Sequence, residues 1–184
     1  VVEQVREWRD AGVDLSAAVN LSARILDDLR FPDNLSTLVR EHGVEEQRLI
    51  VEITESGVMS DVARAMDILS RLRLKGFRLS IDDFGTGYSS LVQLYRMPFN
   101  EVKIDRSFIM EALSNKEAET IVCSILGLAK NLGLTVCAEG VESQETLDFL
   151  SAHDCNTVQG FHVSAAIAPH AVAPFVRKWN SEKV

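Results

Sequence analysis

The segment Phe77–Gly87, which reads FRLSIDDFGTG, contains the pattern from which the predicted fold follows. Its first five residues alternate apolar and polar side chains, as a half-buried strand does, and they run directly into Asp82 and Asp83. Gly85 and Gly87 permit a tight turn close to a ligand. The glycine pair lacks the other residues of a dinucleotide-binding or P-loop fingerprint, so the paired carboxylates are the informative feature.

Similar segments recur on both sides of this stretch, with short apolar strands alternating with helices. The strands are predicted over Leu15–Asn20, Arg48–Thr54, Phe77–Ile81, Glu101–Ile104, Leu134–Ala138 and Asn156–Gln159. The helices are predicted over Val1–Ala11, Asn34–Glu41, Asp61–Leu74, Ser89–Arg96, Lys116–Leu132, Ser143–Ala152 and Pro169–Trp179. This alternation predicts right-handed β-α-β units around a parallel sheet, and therefore an α/β fold.

Each predicted strand meets the following loop at a polar residue. These residues are Asn20, Glu52, Asp82 with Asp83, Lys103, Glu139 and Gln159. Successive members stand roughly one β-α-β unit of about 30 residues apart, so we expect all of them at the carboxyl edge of the sheet. That edge is where a (β/α) barrel builds its active site.

The residue types in this set favour one chemistry. Carboxylate and amide oxygens without His or Cys suit hard cations such as Mg²⁺ or Mn²⁺. Adjacent Asp82 and Asp83 would let one carboxylate bridge two ions, an arrangement that is used to hydrolyse phosphodiesters. Lys103 would then orient the attacking water or balance charge in the transition state. In the alternative interpretation, these residues are helix N-caps and ordinary surface acids.

Composition excludes several classes of protein. With 46% hydrophobic and 25% charged residues, the 184-residue chain is unlike a disordered tail, a collagen repeat or a disulfide scaffold. Its 27 acidic against 19 basic residues give a formal charge of −8, which argues against a nucleic-acid duplex as partner. No apolar run approaches a membrane span. Unpaired Cys123, Cys137 and Cys155 predict buried free thiols in the cytoplasm, or in the cytoplasmic part of a larger membrane-anchored protein.

Six motifs, in order along the chain, resemble those of one family. They are VNLSAR (19–24), VEITES (51–56), IDDFGTGYSSL (81–91), VKIDRSFI (102–109), AEGVES (138–143) and VQGF (158–161). Together they resemble the EAL-domain family, the bacterial phosphodiesterases that cleave cyclic dimeric GMP. The resemblance implies a TIM-type (β/α) barrel and hydrolysis of one phosphodiester bond with two Mg²⁺ or Mn²⁺ ions. The product would be a linear dinucleotide, in second-messenger signalling.

The resemblance also assigns roles to individual positions. The implied metal ligands are Asn20, Glu52, Asp82, Asp83 and Glu139. The implied catalytic residues, which lie near the attacking water, are Lys103, Glu139 and Gln159. Glu55 is similar to a glutamate that holds the loop after the Asp-Asp strand, and Glu142 to an acid behind the ligands. The family implies a homodimer through that loop and its helices, with a fused or separate sensory domain as a further partner.

Three features depart from the family pattern. The Glu-Ala-Leu motif, whose glutamate binds metal, is not in the sequence, and an eight-stranded barrel usually needs about 250 residues. We therefore expect residues 1–184 to be one EAL-type domain that is incomplete at its N-terminus, with about six β-α units and two open sheet edges. Ile25 replaces a frequent glutamine, and Ser164–Ala166 replaces the usual Ser-Lys/Arg-Pro.

Two other functions are compatible with these residues. A catalytically inactive module that binds cyclic dimeric GMP would account for the missing glutamate. A purely structural interaction domain would require the strand-end polar set to be coincidental.

Overall fold

The computed structural model describes residues 1–87 and 91–181, apart from the side chain of Leu91. Six parallel strands form one sheet in the order of the sequence, β1 to β6. The strands are β1 Ala17–Asn20, β2 Leu49–Thr54, β3 Arg78–Phe84, β4 Glu101–Ile104, β5 Thr135–Glu139 and β6 Thr157–Gln159. Neighbouring strands are thus consecutive in the chain, which confirms the predicted α/β class of about six β-α units.

Helices connect these strands. They are α1 Val2–Asp10, α2 Phe31–Glu41, α3 Glu55–Met59, α4 Val62–Leu74, α5 Leu91–Arg96, α6 Arg106–Glu111, α7 Lys116–Leu132, α8 Gln144–Ala152 and α9 Pro169–Ser181. Short 3₁₀ turns cover Ala23–Asp27 and Glu46–Arg48. Local sequence explains several ends: Asn115 and Ser143 cap α7 and α8, and Gly133 ends α7 in the left-handed conformation.

The structure corrects several predicted boundaries. β3 continues to Phe84, so the paired aspartates belong to the strand and not to the loop after it. Pro32 lies in the first turn of α2, and this helix begins earlier than predicted because proline is favoured there. The predicted start of α5 at Ser89 lies outside the described residues. Helices α3 and α6 were not predicted, because each is only five or six residues long.

The hydrophobic core lies between the sheet and the surrounding helices. Side chains alternate along a strand, and one set, which includes Ile53, Ile81 and Ile104, is fully buried against these helices. Ile68 and Leu72 of α4 belong to the same buried cluster. The other set of strand side chains points to the opposite face, which we call the inner face.

The two edge strands of this sheet are β1 and β6. The helices next to them are in contact, since Trp8 Nε1 of α1 donates to the carbonyl oxygen of Pro169 at 3.0 Å. Arg177 of α9 donates to the carbonyl oxygen of Ala11 after α1. The first and last helices therefore pack against each other beside the sheet edges.

The three cysteines differ in their burial. Cys137 is buried on the inner face, where burial raises the pKa of its thiol to about 12, whereas Cys123 and Cys155 are only partly buried. The prediction of buried thiols is thus right for Cys137 alone. Within residues 1–87 and 91–181, no helix has both the length and the apolar character needed to cross a bilayer.

Candidate functional site

Lys103 is the centre of a group of acidic side chains on the inner face. Its Nζ lies 3.1 Å from Glu52 Oε1 and 3.2 Å from Asp82 Oδ1. The third contact is the shortest, at 2.7 Å to Glu139 Oε1. Only 6% of the Lys103 side chain is exposed, so the ammonium group is held by carboxylates and not by solvent.

Curvature of the sheet brings these side chains together. Glu52 is on β2 and Glu139 on β5, and three strand spacings in a flat sheet would separate them by about 14 Å. Both carboxylates nevertheless contact the same ammonium group on β4. The sheet therefore curls around Lys103, and its inner face is concave, as in the wall of a barrel.

A β-bulge shapes the position of the two aspartates. Ile81 pairs with Val102, whereas Phe84 pairs with Ile104, so β3 has one residue more than β4 over this interval. The extra residue breaks the strict alternation, and both Asp82 and Asp83 are partly exposed instead of lying on opposite faces. Asp83 has a φ of 54°, in the left-handed region that aspartate tolerates better than most residues.

The bulge creates a compact group of oxygen ligands. One carboxylate oxygen each from Asp82, Asp83 and Glu139 lie within 4.8 Å of one another. Oxygen donors of this kind fit Mg²⁺ or Mn²⁺, which bind carboxylates in preference to softer ligands. The residues present therefore fit the divalent cations that the sequence predicts.

The electrostatics of the group favour a cation. Burial raises the pKa of Glu52, and the nearby carboxylates of Asp82 and Glu139 add to this, although Lys103 opposes it. Burial also raises the pKa of Asp83, with the charge of Asp82 as the next cause. For Lys103, burial alone would lower the pKa, but its three carboxylate partners outweigh burial and raise it. One lysine thus faces several acids, and further positive charge would stabilise them.

Glu55 fixes the loop that follows β3. Its carboxylate is buried and accepts hydrogen bonds from the backbone N–H of Gly85 at 3.0 Å and of Gly87 at 3.3 Å. A Cβ at position 87 would lie 2.6 Å from Glu55 Oε1, so only glycine allows this close approach. The side chain at the start of α3 therefore holds the loop next to the aspartates.

A cavity of about 410 Å³ opens beside the acidic group, between the ends of β5 and β6. Glu139 and Gln159, which are paired in register, lie along its wall together with Glu142 and the exposed ring of Phe161. A backbone hydrogen bond joins the segment after β5 to the end of β6, since Val141 N donates to Gln159 O at 3.0 Å. The cavity therefore has acidic, amide and aromatic groups next to the proposed ligands.

The remaining predicted ligand lies at the sheet edge. Asn20 ends β1 and pairs in register with Glu52, so both side chains belong to the same face, although Asn20 is exposed. Glu52 lies two residues before the end of its strand, not at the end as predicted. The structure thus gathers Glu52, Asp82, Asp83, Lys103 and Glu139 directly, and it places Asn20 and Gln159 on the flanking strands.

Two residues after β4 were missed by the sequence analysis. Asp105 caps α6 through its hydrogen bond with Ser107 N, and its negative charge is close enough to contribute to the raised pKa of Asp83. Arg106 lines the cavity next to Glu139. Both follow a strand end directly, so the same strand-end rule applied beyond Lys103 would have identified them.

Comparison with known proteins identifies the family that this chain resembles. The EAL domain family model matches residues 1–166. Over 159 residues, the chain is 43% identical to the bifunctional diguanylate cyclase/cyclic di-GMP phosphodiesterase MucR of Pseudomonas aeruginosa. That match covers 86% of the chain but 23% of MucR, so the chain spans less than a quarter of this relative.

Solved structures show the same architecture. The PaMucR phosphodiesterase in complex with c-di-GMP matches 93% of the chain and 70% of its own chain, with 40% identity and a TM-score of 0.88. A manganese/cy-diGMP complex of Klebsiella pneumoniae BlrP1 matches 89% of the chain and 42% of its own, with 28% identity and a TM-score of 0.81. The curled sheet is therefore the wall of a TIM-type barrel.

Proposed function

This chain belongs to the EAL domain family, and we propose that the protein hydrolyses one phosphodiester bond of cyclic dimeric GMP to give the linear dinucleotide. The observation that carries the proposal is the convergence of Glu52, Asp82 and Glu139 on Lys103, with Asp83 beside them. The similarity to MucR and to the PaMucR c-di-GMP complex supports the substrate.

We propose a divalent metal centre, Mg²⁺ or Mn²⁺, held by Asn20, Glu52, Asp82, Asp83 and Glu139. The bound ions would supply Lewis-acid polarisation of the phosphate and a more acidic water. The close oxygen atoms of Asp82, Asp83 and Glu139 support this assignment. The manganese complex of BlrP1 supports the choice of metal for the family fold.

The protein's own residues would position and deprotonate the attacking water. Glu139, whose carboxylate lies 2.7 Å from Lys103 Nζ, would take up a proton from the attacking water. Lys103 Nζ would stabilise the negative charge that develops on the phosphate. Gln159, in register with Glu139, would orient the same water. Water oxygen bonds to phosphorus, the phosphorus–ribose oxygen bond breaks, and the departing oxygen takes up a proton.

We also propose that the protein forms a homodimer. This is supported by exposed apolar side chains on α5 and α6, namely Val92, Tyr95 and Met110. A fused or separate sensory domain is supported by the small share of MucR that the chain spans. We propose a cytoplasmic location for this domain, because its substrate class is an intracellular second messenger and its thiols are free.

The test is hydrolysis of cyclic dimeric GMP by the full-length protein that contains residues 1–184, followed by separation of cyclic and linear dinucleotides. With Mg²⁺ or Mn²⁺ we expect the linear product, and with excess EDTA we expect none. Asp82→Ala should abolish turnover because it removes an oxygen shared by the metal cluster and Lys103.

The outcomes separate the candidate functions. Retained turnover in Asp82→Ala would exclude the role assigned to Asp82. Calorimetric binding of cyclic dimeric GMP without any hydrolysis would identify the chain as a binding module instead of an enzyme. The absence of both binding and hydrolysis of cyclic dimeric GMP would overturn the proposal.

A further inference from the structure

Lys103 holds oxygen atoms that the proposed metal centre also needs. Its ammonium group contacts Glu52 Oε1, Asp82 Oδ1 and Glu139 Oε1 at distances between 2.7 and 3.2 Å. The same three acids are proposed metal ligands. The ammonium group of Lys103 and the divalent cations would therefore bind the same carboxylates.

Lys103 and its three acidic partners are held in buried surroundings. All four residues of β4 are buried, and the strand is paired on both sides, so the backbone at Lys103 is fixed. Its three partners are themselves mostly buried, with side-chain exposures of 7%, 13% and 18%. Charges in such surroundings interact more strongly than charges in water. Rotation of the lysine side chain can withdraw the ammonium group while the backbone of β4 stays in place.

We propose that Lys103 is an internal counter-ion of the metal centre, an inference that rests on the metal-dependent function proposed above. Its ammonium group neutralises part of the carboxylate charge when no divalent ion is bound. It also weakens the binding of divalent cations, because it repels them and engages oxygen atoms that they need. Metal binding then requires Lys103 to give up contacts with these acids.

A role in positioning alone gives the opposite expectation. If Lys103 only held the carboxylates in place, its removal would let three like charges move apart, and cation affinity would fall. If Lys103 competes with cations, its removal should raise that affinity. The sign of the change in affinity therefore distinguishes the two roles without any measurement of turnover.

The experiment compares Lys103→Met with the unmodified full chain, using Mn²⁺ alone as the probe. Calorimetric titration should show at least tenfold tighter Mn²⁺ binding in Lys103→Met. In EDTA this variant should unfold about 10 °C lower, because buried carboxylates lose their partner. Saturating Mn²⁺ should recover most of that difference, because ions that bind the folded state stabilise it.

Lys130→Met is the matched control. Lys130 Nζ also forms a 2.8 Å ion pair, with Asp154 Oδ2, but both side chains are more than 70% exposed. This substitution removes the same charge away from the inner face, so Mn²⁺ affinity should stay within twofold. Lys103→Arg, which keeps the charge, should not gain affinity.

The outcomes distinguish this inference from the proposed function. Unchanged or weaker Mn²⁺ binding in Lys103→Met, while the unmodified chain binds Mn²⁺, would overturn the counter-ion role and leave the metal centre in place. Equal gains in Lys103→Arg and Lys103→Met would also overturn it. An unmodified chain that neither binds Mn²⁺ nor hydrolyses cyclic dimeric GMP would overturn both. If Lys103→Met does not fold, Lys103→Gln should show the same gain in affinity.

Discussion

The outer and inner faces of the sheet are built by the same strands but have opposite chemistry. Ile81 and Asp82 are neighbours in β3, yet Ile81 is fully buried in the apolar core while Asp82 contacts Lys103. On β4, Val102 and Ile104 join the core, whereas Lys103 between them faces three acids. The outer face therefore supplies stability, and the inner face concentrates charge that folding alone does not require.

The difference between the two faces indicates which residues contribute to stability and which contribute to the proposed function. Apolar burial stabilises the fold roughly in proportion to the area removed from water. Like charges held together on the inner face oppose folding unless Lys103 or bound cations neutralise them. Substitutions on the two faces should thus have different consequences even when they are adjacent in the chain.

The largest expected effect on stability is at Ile81. Ile81→Ala leaves a cavity in the core and should lower the free energy of unfolding by about 4 kcal/mol. Asp82→Asn, one residue later, should change it by less than about 2 kcal/mol, because loss of the Lys103 ion pair is offset by relief of repulsion. Urea unfolding in EDTA measures both values. A larger loss in Asp82→Asn than in Ile81→Ala would remove the distinction between the faces.

An intermediate effect is expected in the loop that borders the inner face. Gly87→Ala places a Cβ 2.6 Å from Glu55 Oε1, so Glu55 must release the loop backbone. We expect a loss of about 2 kcal/mol in unfolding free energy, as for overpacking elsewhere, together with reduced hydrolysis of cyclic dimeric GMP.

Gly127→Ala is the control for this substitution. Gly127 lies inside α7, and a Cβ there meets nothing within 4 Å, so alanine should be neutral or slightly stabilising. Equal losses in the two variants would show that the contact with Glu55 has no special importance.

The smallest effect is expected at Glu46, in the 3₁₀ turn that precedes β2. Burial alone would raise the pKa of Glu46, but hydrogen bonds from its backbone N–H, from Arg40 and from Ser36 outweigh it and lower the pKa. A carboxyl group whose pKa is lowered by folding stabilises the folded state at pH values above its pKa in the unfolded chain. This contribution is lost as the pH falls through the pKa of the group in the folded chain. Because Arg40 is exposed, the contribution is less than about 1 kcal/mol.

Glu46→Gln tests this contribution through urea unfolding at pH 7 and pH 3. The variant should be slightly less stable than the unmodified chain at pH 7 and nearly equal to it at pH 3. Glu3→Gln removes an exposed acid of α1 and is the control; its free energy of unfolding should differ from that of the unmodified chain by less than about 0.5 kcal/mol. A constant difference between Glu46→Gln and the unmodified chain at both pH values would contradict the assignment.

Much of the architecture could be predicted from local sequence. Strands such as Glu101–Ile104 and helices such as Lys116–Leu132 have the predicted bounds, because apolar periodicity and caps both mark them. The strand-end rule also identified the residues that surround Lys103, since parallel strands align their carboxyl ends. The family followed from motifs that carry several of these same residues.

The geometry of the site could not be predicted in the same way. The bulge at Asp82–Asp83 depends on the pairing of β3 with β4, which no local pattern records. The three contacts of Lys103 depend on the curvature of the whole sheet. Helices α3 and α6 are too short for periodicity to reveal, although α3 supplies Glu55 and α6 supplies Arg106.

Anomalous diffraction at the manganese edge, from crystals of the full chain grown with Mn²⁺, would locate the bound ions. We expect a peak on the inner face within bonding distance of carboxylate oxygens from Asp82, Asp83 and Glu139. That peak should disappear in Asp82→Ala. Manganese bound only elsewhere on the protein, or an inner face without a peak at saturating Mn²⁺, would contradict the claim that this face is a metal centre.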